Sequence, residues 1–332
     1  MREYVMTTMS ISKATLMFII SILTIIGNSL VVIVGWKNWS HTRSHMTHLL
    51  VFSLAIADLT ETFIAFPIEF TIELLGEWIF SDFGCRFVEY CQALSFGVAV
   101  FIITFIAIDR YLSVVRPLTG RIRTRHGKWI LVFCWSAPML ILFPYVFLFK
   151  VIKTTHHESN ETIFMCQPVG SGYDWLDRLY WTVELYYTFL LPMIIMIFCY
   201  TSLVRKVLRM KKVGQAQPSV NSLHERVGTL SHMKRKSVRL ALSFVTLFVV
   251  CWGPRFVMDC YRIAYGTRAV TRTSAIYEVA LFMAYTNQML NPVLYALIDT
   301  YFKQKLKNLF RRQITTFENS TETNNHTNNT AG

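Results

Sequence analysis

Hydrophobic positions in this chain fall in unbroken blocks, not at the two-residue or 3.6-residue repeats of soluble strands and helices. Residues 14–36, 90–108, 129–149, 185–204 and 279–298 contain no Asp, Glu, Lys or Arg. A helix needs roughly 20 apolar residues to cross a bilayer, so each block predicts one span. Two further blocks are interrupted. Residues 45–75 hold Asp58, Glu61, Glu69 and Glu73, and residues 240–254 are short alone and continue through Arg255 and Asp259. An acid near a bilayer centre costs on the order of 2.5–3.5 kcal/mol, so these acids are expected to face protein and to have a task. The pattern predicts an all-α membrane protein, a bundle of seven transmembrane helices over residues 15–313.

Composition agrees. The 332 residues are 53% hydrophobic and 16% charged, where soluble domains carry about 25% charged residues. The net charge of +13 raises nucleic acid as a partner, but its distribution argues against that. Lys37 and Arg43 follow the first span; Arg116, Arg121, Arg123, Arg125 and Lys128 follow the third. Ten Lys or Arg lie between Arg205 and Arg239, and five between Lys303 and Arg312. The alternate loops mix signs. Basic loops stay cytoplasmic, so residues 1–14 are expected outside and the C-terminus inside, with the basic loops against anionic lipid. The first block is too long for a signal peptide and reads as an uncleaved anchor. Residues 314–332 are rich in Asn and Thr and are expected to be a disordered cytoplasmic tail.

Cys134, Cys199 and Cys251 lie inside spans and read as small buried hydrophobes. Cys85, at the outer end of the third span, and Cys166, in the loop after the fourth, both face the oxidising side and form the expected disulfide. Cys91 and Cys260, also near outer ends, are rival partners. Asn160 begins an outer-loop glycosylation sequon; those at Asn38, Asn319, Asn325 and Asn328 fall inside. The chain lacks H-E-x-x-H and G-x-S-x-G, and His156-His157 reads as a solvent-facing loop pair. An enzyme is not expected.

Each span carries a marker: Gly27-Asn28; Leu54-Ala55-Ile56-Ala57-Asp58; Asp109-Arg110-Tyr111; Trp135 with Pro144; Pro192 with Tyr200; Cys251-Trp252-Gly253-Pro254; and Asn291-Pro292-Val293-Leu294-Tyr295. The basic stretch "DTYFKQKLKNLFRR" follows, predicting a short amphipathic helix at about 299–313. This ordered set closely resembles the rhodopsin-like (class A) G-protein-coupled receptors. The resemblance implies a plasma-membrane signalling receptor with a heterotrimeric G protein and arrestin as partners. Arg110 would leave Asp109 on activation, with Tyr200 and Tyr295 swinging toward it. Trp252 would lie beneath the ligand, and Pro254 would hinge the sixth helix for outward motion. Asp58, Asn287 and Asn291 would form a polar core that in many relatives holds sodium; no cofactor is implied. Two positions depart from the pattern: Ala99 stands where relatives often place a hydroxyl, and Gln288 where a small polar residue is common. The inner end of the sixth span, "MKRKSVR", also lacks the acid that locks some relatives.

Single positions sort the subclass. Gln92 replaces the Asp of aminergic members, Tyr285 replaces the Lys of opsins, and no large ectodomain precedes the first span in this sequence. Gln92, Trp78 and the "WGPR" run are similar to the neuropeptide branch, near the RFamide receptors. The expected ligand is therefore a short peptide, the alternatives being a non-peptide small molecule or a transporter using Asp58 and Glu61. The expected pocket comprises Glu69, Gln92, Glu184, Arg255, Asp259, Glu278 and Tyr285. Its acids point to a cationic ligand end held chiefly by Asp259 with Glu184 or Glu69, while Arg255 is the counter-indication, able to take a carboxylate.

Overall fold

The computed structural model describes residues 8–116, 124–155, 162–170, 172–215, 221–266, 275–309 and 311. Asn160 and the 314–332 tail lie outside these residues. The first span is α1 (Thr8–Lys37). A short α2 (Trp39–Ser44) turns the chain into α3 (Met46–Leu75), the second span, and α4 (Asp82–Val115) is the third. The fourth comprises α5 (Gly127–Leu142) and a final turn, α6 (Tyr145–Leu148). Then come β1 (Phe149–Thr155) and β2 (Thr162–Pro168), an antiparallel hairpin. The fifth span runs through α7 (Asp174–Leu185), a π-helical turn at Tyr186–Leu190, and α8 (Leu191–Gln215). The sixth is α9 (Asn221–Tyr265) and the seventh α10 (Ala275–Ile298), followed by α11 over 300–309.

Six of these spans are long and apolar enough to cross a membrane by composition alone. The seventh, α10, is the polar one, carrying Asn287, Gln288 and Asn291, all buried. Burial also explains the missing periodicity. Leu140, Phe63 and Leu297 point outward and are more than half exposed. Lipid accepts an apolar outer face as readily as the core does, so the helices are apolar all round.

The long α4 is the central pillar, packed on α3, α5, α8 and α9. Close helix approach requires glycine at two positions, Gly97 and the marker Gly27. A side-chain carbon on Gly97 would lie 2.7 Å from Cβ of Pro138, and one on Gly27 would lie 3.0 Å from Cγ of Pro292. Trp135 of α5 donates its indole N–H to Ser53 Oγ of α3 at 3.0 Å.

The hairpin covers one end of the bundle. Cys166 on β2 is bonded to Cys85 on α4, which leaves Cys91 and Cys260 free. Phe164 O accepts from Trp78 N at 2.7 Å, and Asp82 Oδ1 from Val151 N at 3.0 Å. The bond closes a separation of 81 residues. Removing a native disulfide typically costs about 2–5 kcal/mol. Replacing Cys85 or Cys166 by Ser is expected to lower the melting midpoint of the purified protein, and replacing both should do no further harm. Unchanged melting would refute that role.

Candidate functional site

Two clusters of polar groups lie at opposite ends of the bundle, with a third between them. At the end remote from the disulfide, Asp109 is almost fully buried on α4. Arg110 donates Nε and Nη2 to Asp109 Oδ2, and the same oxygen accepts from Thr47 Oγ1 at 2.9 Å. Tyr111 packs on Phe198 of α8, ring centroids 5.5 Å apart. Tyr200 is buried with its hydroxyl unpartnered among the described residues. The Tyr295 hydroxyl meets His48 Nδ1 at 2.7 Å, and its ring packs on Phe302 of α11.

A histidine cluster supports this end. His41 lies on α2, His45 is the extended residue between α2 and α3, and His48 lies on α3, so the turn between the helices gathers the three rings. His41 stacks on His45 at 4.1 Å and on Tyr301 at 3.7 Å. Burial, and then the neighbouring His45, hold the His41 imidazole below its ordinary pKa, so the neutral ring is favoured. The three histidines lie close together in the sequence, which was the available signal; Tyr301, far along the chain, was not.

The central cluster joins α1, α3 and α10. Asn291 Nδ2 donates to Asp58 Oδ2 at 3.0 Å. Asn28 Nδ2 donates to the backbone carbonyls of Thr24 and Gln288 at 3.1 and 3.2 Å. Both amide atoms of Asn287 and Oδ1 of Asn291 are buried without a hydrogen-bond partner among the described residues.

At the disulfide end a cavity opens between the spans. Gln92, Arg255 and Tyr285, three of the residues assigned to a pocket from the sequence, line it. So do Glu61, Glu89, Phe96, Tyr145, Trp252 and Tyr277. Trp252 and Phe96 are in ring contact, centroids 4.0 Å apart, and Pro254 lies one half-turn beyond Trp252 in α9.

The expected acids are distributed otherwise. Glu184 and Asp259 are in a closed ionic network. Arg255 donates Nε to Asp259 Oδ2 at 3.1 Å and Nη2 to the Tyr145 hydroxyl at 2.7 Å, and lies 3.7 Å from Glu184 Oε1. Tyr145 donates in turn to Glu184 at 2.9 Å. Arg262 adds a contact to Asp259 at 3.4 Å and lies over the Trp181 ring. Positions 255, 259 and 262 share one helix face; the π-helical turn lies just after Glu184 on the fifth span. Glu69 accepts from Gln92 at 3.0 Å, and Glu278 pairs with Lys13 of α1 at 2.6 Å.

The family model described as 7 transmembrane receptor (rhodopsin family) matches residues 27–295. The chain belongs to this receptor family. It is similar to a QRFP-like peptide receptor of Branchiostoma floridae, 28% identical over 90% of this chain and 78% of the relative. Galanin receptor type 1 of Mus musculus is 26% identical, covering 86% of this chain and 78% of its own length. A tachykinin-like peptides receptor 86C of Drosophila melanogaster is 27% identical, covering 84% and 54%. The receptor is thus a multi-pass membrane protein of a family that is not one of enzymes, and the two ends of its bundle take on distinct meanings.

Proposed function

We propose that this receptor lies in the plasma membrane with its disulfide end outside, binds a short extracellular peptide there, and activates a heterotrimeric G protein at the Arg110 end. One observation carries the reading. Trp252 lines the cavity on the same helix as Pro254. Proline removes a backbone hydrogen bond and makes a hinge. A ligand pressing on Trp252 acts at that hinge, and the inner half of α9 swings outward. The named relatives are receptors with peptide ligands in their names. Arrestin would use the same inner surface afterwards.

The test is a peptide-library screen on cells expressing the full chain, read by calcium and cyclic nucleotides, with GTP exchange on membranes. At least one short peptide is expected to drive exchange. Responses to non-peptide molecules alone would overturn the peptide, and substrate flux without exchange would overturn the signalling role in favour of transport through Asp58 and Glu61.

The central cluster is proposed to take an allosteric sodium ion. Asp58, Asn287 and Asn291 offer oxygens, and the unpartnered Oδ1 atoms of Asn287 and Asn291 fit a hard cation that prefers oxygen. Ala99 supplies no hydroxyl, so the site relies on these side chains. Sodium is expected to raise the melting midpoint above that in choline chloride, and Asp58→Asn should abolish the difference. Equal midpoints in the wild-type receptor would rule the site out.

A further inference from the structure

We propose that the inner end of the bundle carries a proton-sensitive clasp: the stacked rings of His45, His41 and Tyr301 hold α11 on α2 while the imidazoles are neutral, and acid on that side opens the stack. The clasp needs no ligand; its link to signalling rests on the G-protein reading above.

The stack joins segments far apart in the chain. The His41 ring on α2 lies nearly parallel to His45, 22° apart, and to Tyr301 of α11, 13° apart. His48 of α3 meets His41 and Tyr301 edge-on, at 5.0 and 5.6 Å. Nδ1 of His41 is buried with no hydrogen-bond partner among the described residues. A lone pair can be left there at modest cost. A charged N–H in its place would give up water without gaining an acceptor. Opening the stack leaves α11 tied to α10 by Asp299 and Phe302. Asp299 Oδ1 accepts from Phe302 N at 2.8 Å, and the Tyr295 ring packs on Phe302 at 4.7 Å. The Tyr295 hydroxyl rests on His48. Acid at the stack therefore loosens the helix that seats the tyrosine expected to move on activation.

The surrounding charges decide how many protons the cluster takes. Asp299 is the acid that acts on His41, and His48 Nε2 lies 3.7 Å from the same carboxylate. Lys305 of α11 opposes a charge on His41 and lies over the Tyr301 ring, 5.4 Å from its centroid. A cation–π gain for a charged His41 on that ring is thus shared with a cation already there. Arg110 of α4, held by Asp109, acts on His48. Lys37 and Arg43 are exposed at the ends of α1 and α2. Asp299 can answer one imidazolium, at His48. A second, on His41 or His45, faces a like charge across the cluster and no acid of its own. Burial, then His45, favour the neutral His41 ring in the stack. The contact is therefore at full strength above the ordinary imidazole pKa of 6.5 and weakens as pH falls through and below it.

The test uses the full receptor in lipid nanodiscs and reads hydrogen exchange of the α11 amides by mass spectrometry, corrected for their intrinsic rates at each pH. Between pH of about 7.5 and about 5.8, wild-type protection is expected to fall about two- to fivefold, the larger figure being the most that one imidazole of ordinary pKa can give over that interval. His41→Phe keeps the ring without a titrating nitrogen and should hold its protection at both pH values. Tyr301→Ala should show the low protection already at the higher pH. Should His41→Phe fail to fold, His41→Tyr makes the same comparison. With the same G protein added to both, basal nucleotide exchange at the lower pH should be higher in the wild type than in His41→Phe. No fall in the wild type, an equal fall in His41→Phe, full protection in Tyr301→Ala, or equal basal exchange in wild type and His41→Phe overturns the proposal. The signalling reading fails separately, when no peptide drives exchange at either pH, and the protection measurement does not depend on it.

Discussion

Arg110→Ala is expected to bind ligand and reach the surface yet fail to drive nucleotide exchange. Arg110 is half-buried at the inner end of α4, and its guanidinium is held by Asp109, whose carboxylate is also fixed by Thr47. The cavity lies at the other end of the bundle, so truncating Arg110 removes nothing that a ligand touches. Asp109 keeps the Thr47 hydrogen bond, which limits the damage to folding. Transducer contact is different. A planar, permanently charged group is suited to bind carbonyls and carboxylates of a partner once Asp109 releases it. The charge of Arg110 already reaches Tyr200 and Tyr295, the two tyrosines expected to move with it. Exchange is expected to fall to the level of untransfected membranes, with ligand affinity within about threefold of wild type, since the substitution is remote from the cavity. Normal exchange from a surface-expressed variant would remove Arg110 from the mechanism. Thr47→Ala should raise basal exchange, because it loosens the grip on Asp109 without touching Arg110.

Arg255→Ala is expected to be the most damaging single change at the outer end. It leaves Glu184 buried without its cation and Asp259 with Arg262 alone. Breaking a buried pair by removing one partner costs about 3–5 kcal/mol. Arg255 retains some exposure, so the lower end of that range applies. The melting midpoint of the purified receptor should drop by several degrees, and adding Glu184→Gln should recover part of the loss, because it removes the orphaned charge. Non-additivity of this sign marks groups that interact directly. If Arg255→Ala melts with the wild type, or Glu184→Gln worsens it, the network is not the strut described here. The same geometry predicts that Asp259→Arg gathers three cations around Tyr145. Its effect would therefore report a damaged network as much as a lost ligand contact.

The seven spans and their order were legible in the sequence because a bilayer demands length and apolarity, which are one-dimensional properties. The marker residues were legible for a related reason. Pro254 acts on its own backbone, and Asp109 with Arg110 is a pair adjacent in sequence. The disulfide was narrowed to outer cysteines, but Cys91 and Cys260 were excluded only when the hairpin placed Cys166 opposite Val151 and against Cys85. The hairpin itself lay in a stretch read as loop.

The wiring of the pocket was decided by the tertiary structure. Residue type put Glu69, Glu184, Asp259 and Glu278 on the list of ligand acids. Helix rotation then gave Glu184 and Asp259 to Arg255, Glu278 to Lys13 and Glu69 to Gln92, leaving Glu61 on the cavity wall. Tyr145, which joins α6 to α7 and α9, had no sequence signal at all. Helices that are apolar on every side carry no periodicity from which to read their rotation. A charge pair, by contrast, needs its partners within about 4 Å, and that proximity is set by neighbouring helices far apart in the chain. Sequence alone determined that this protein crosses the membrane seven times and where its marker residues stand. Packing decided which charges cancel each other.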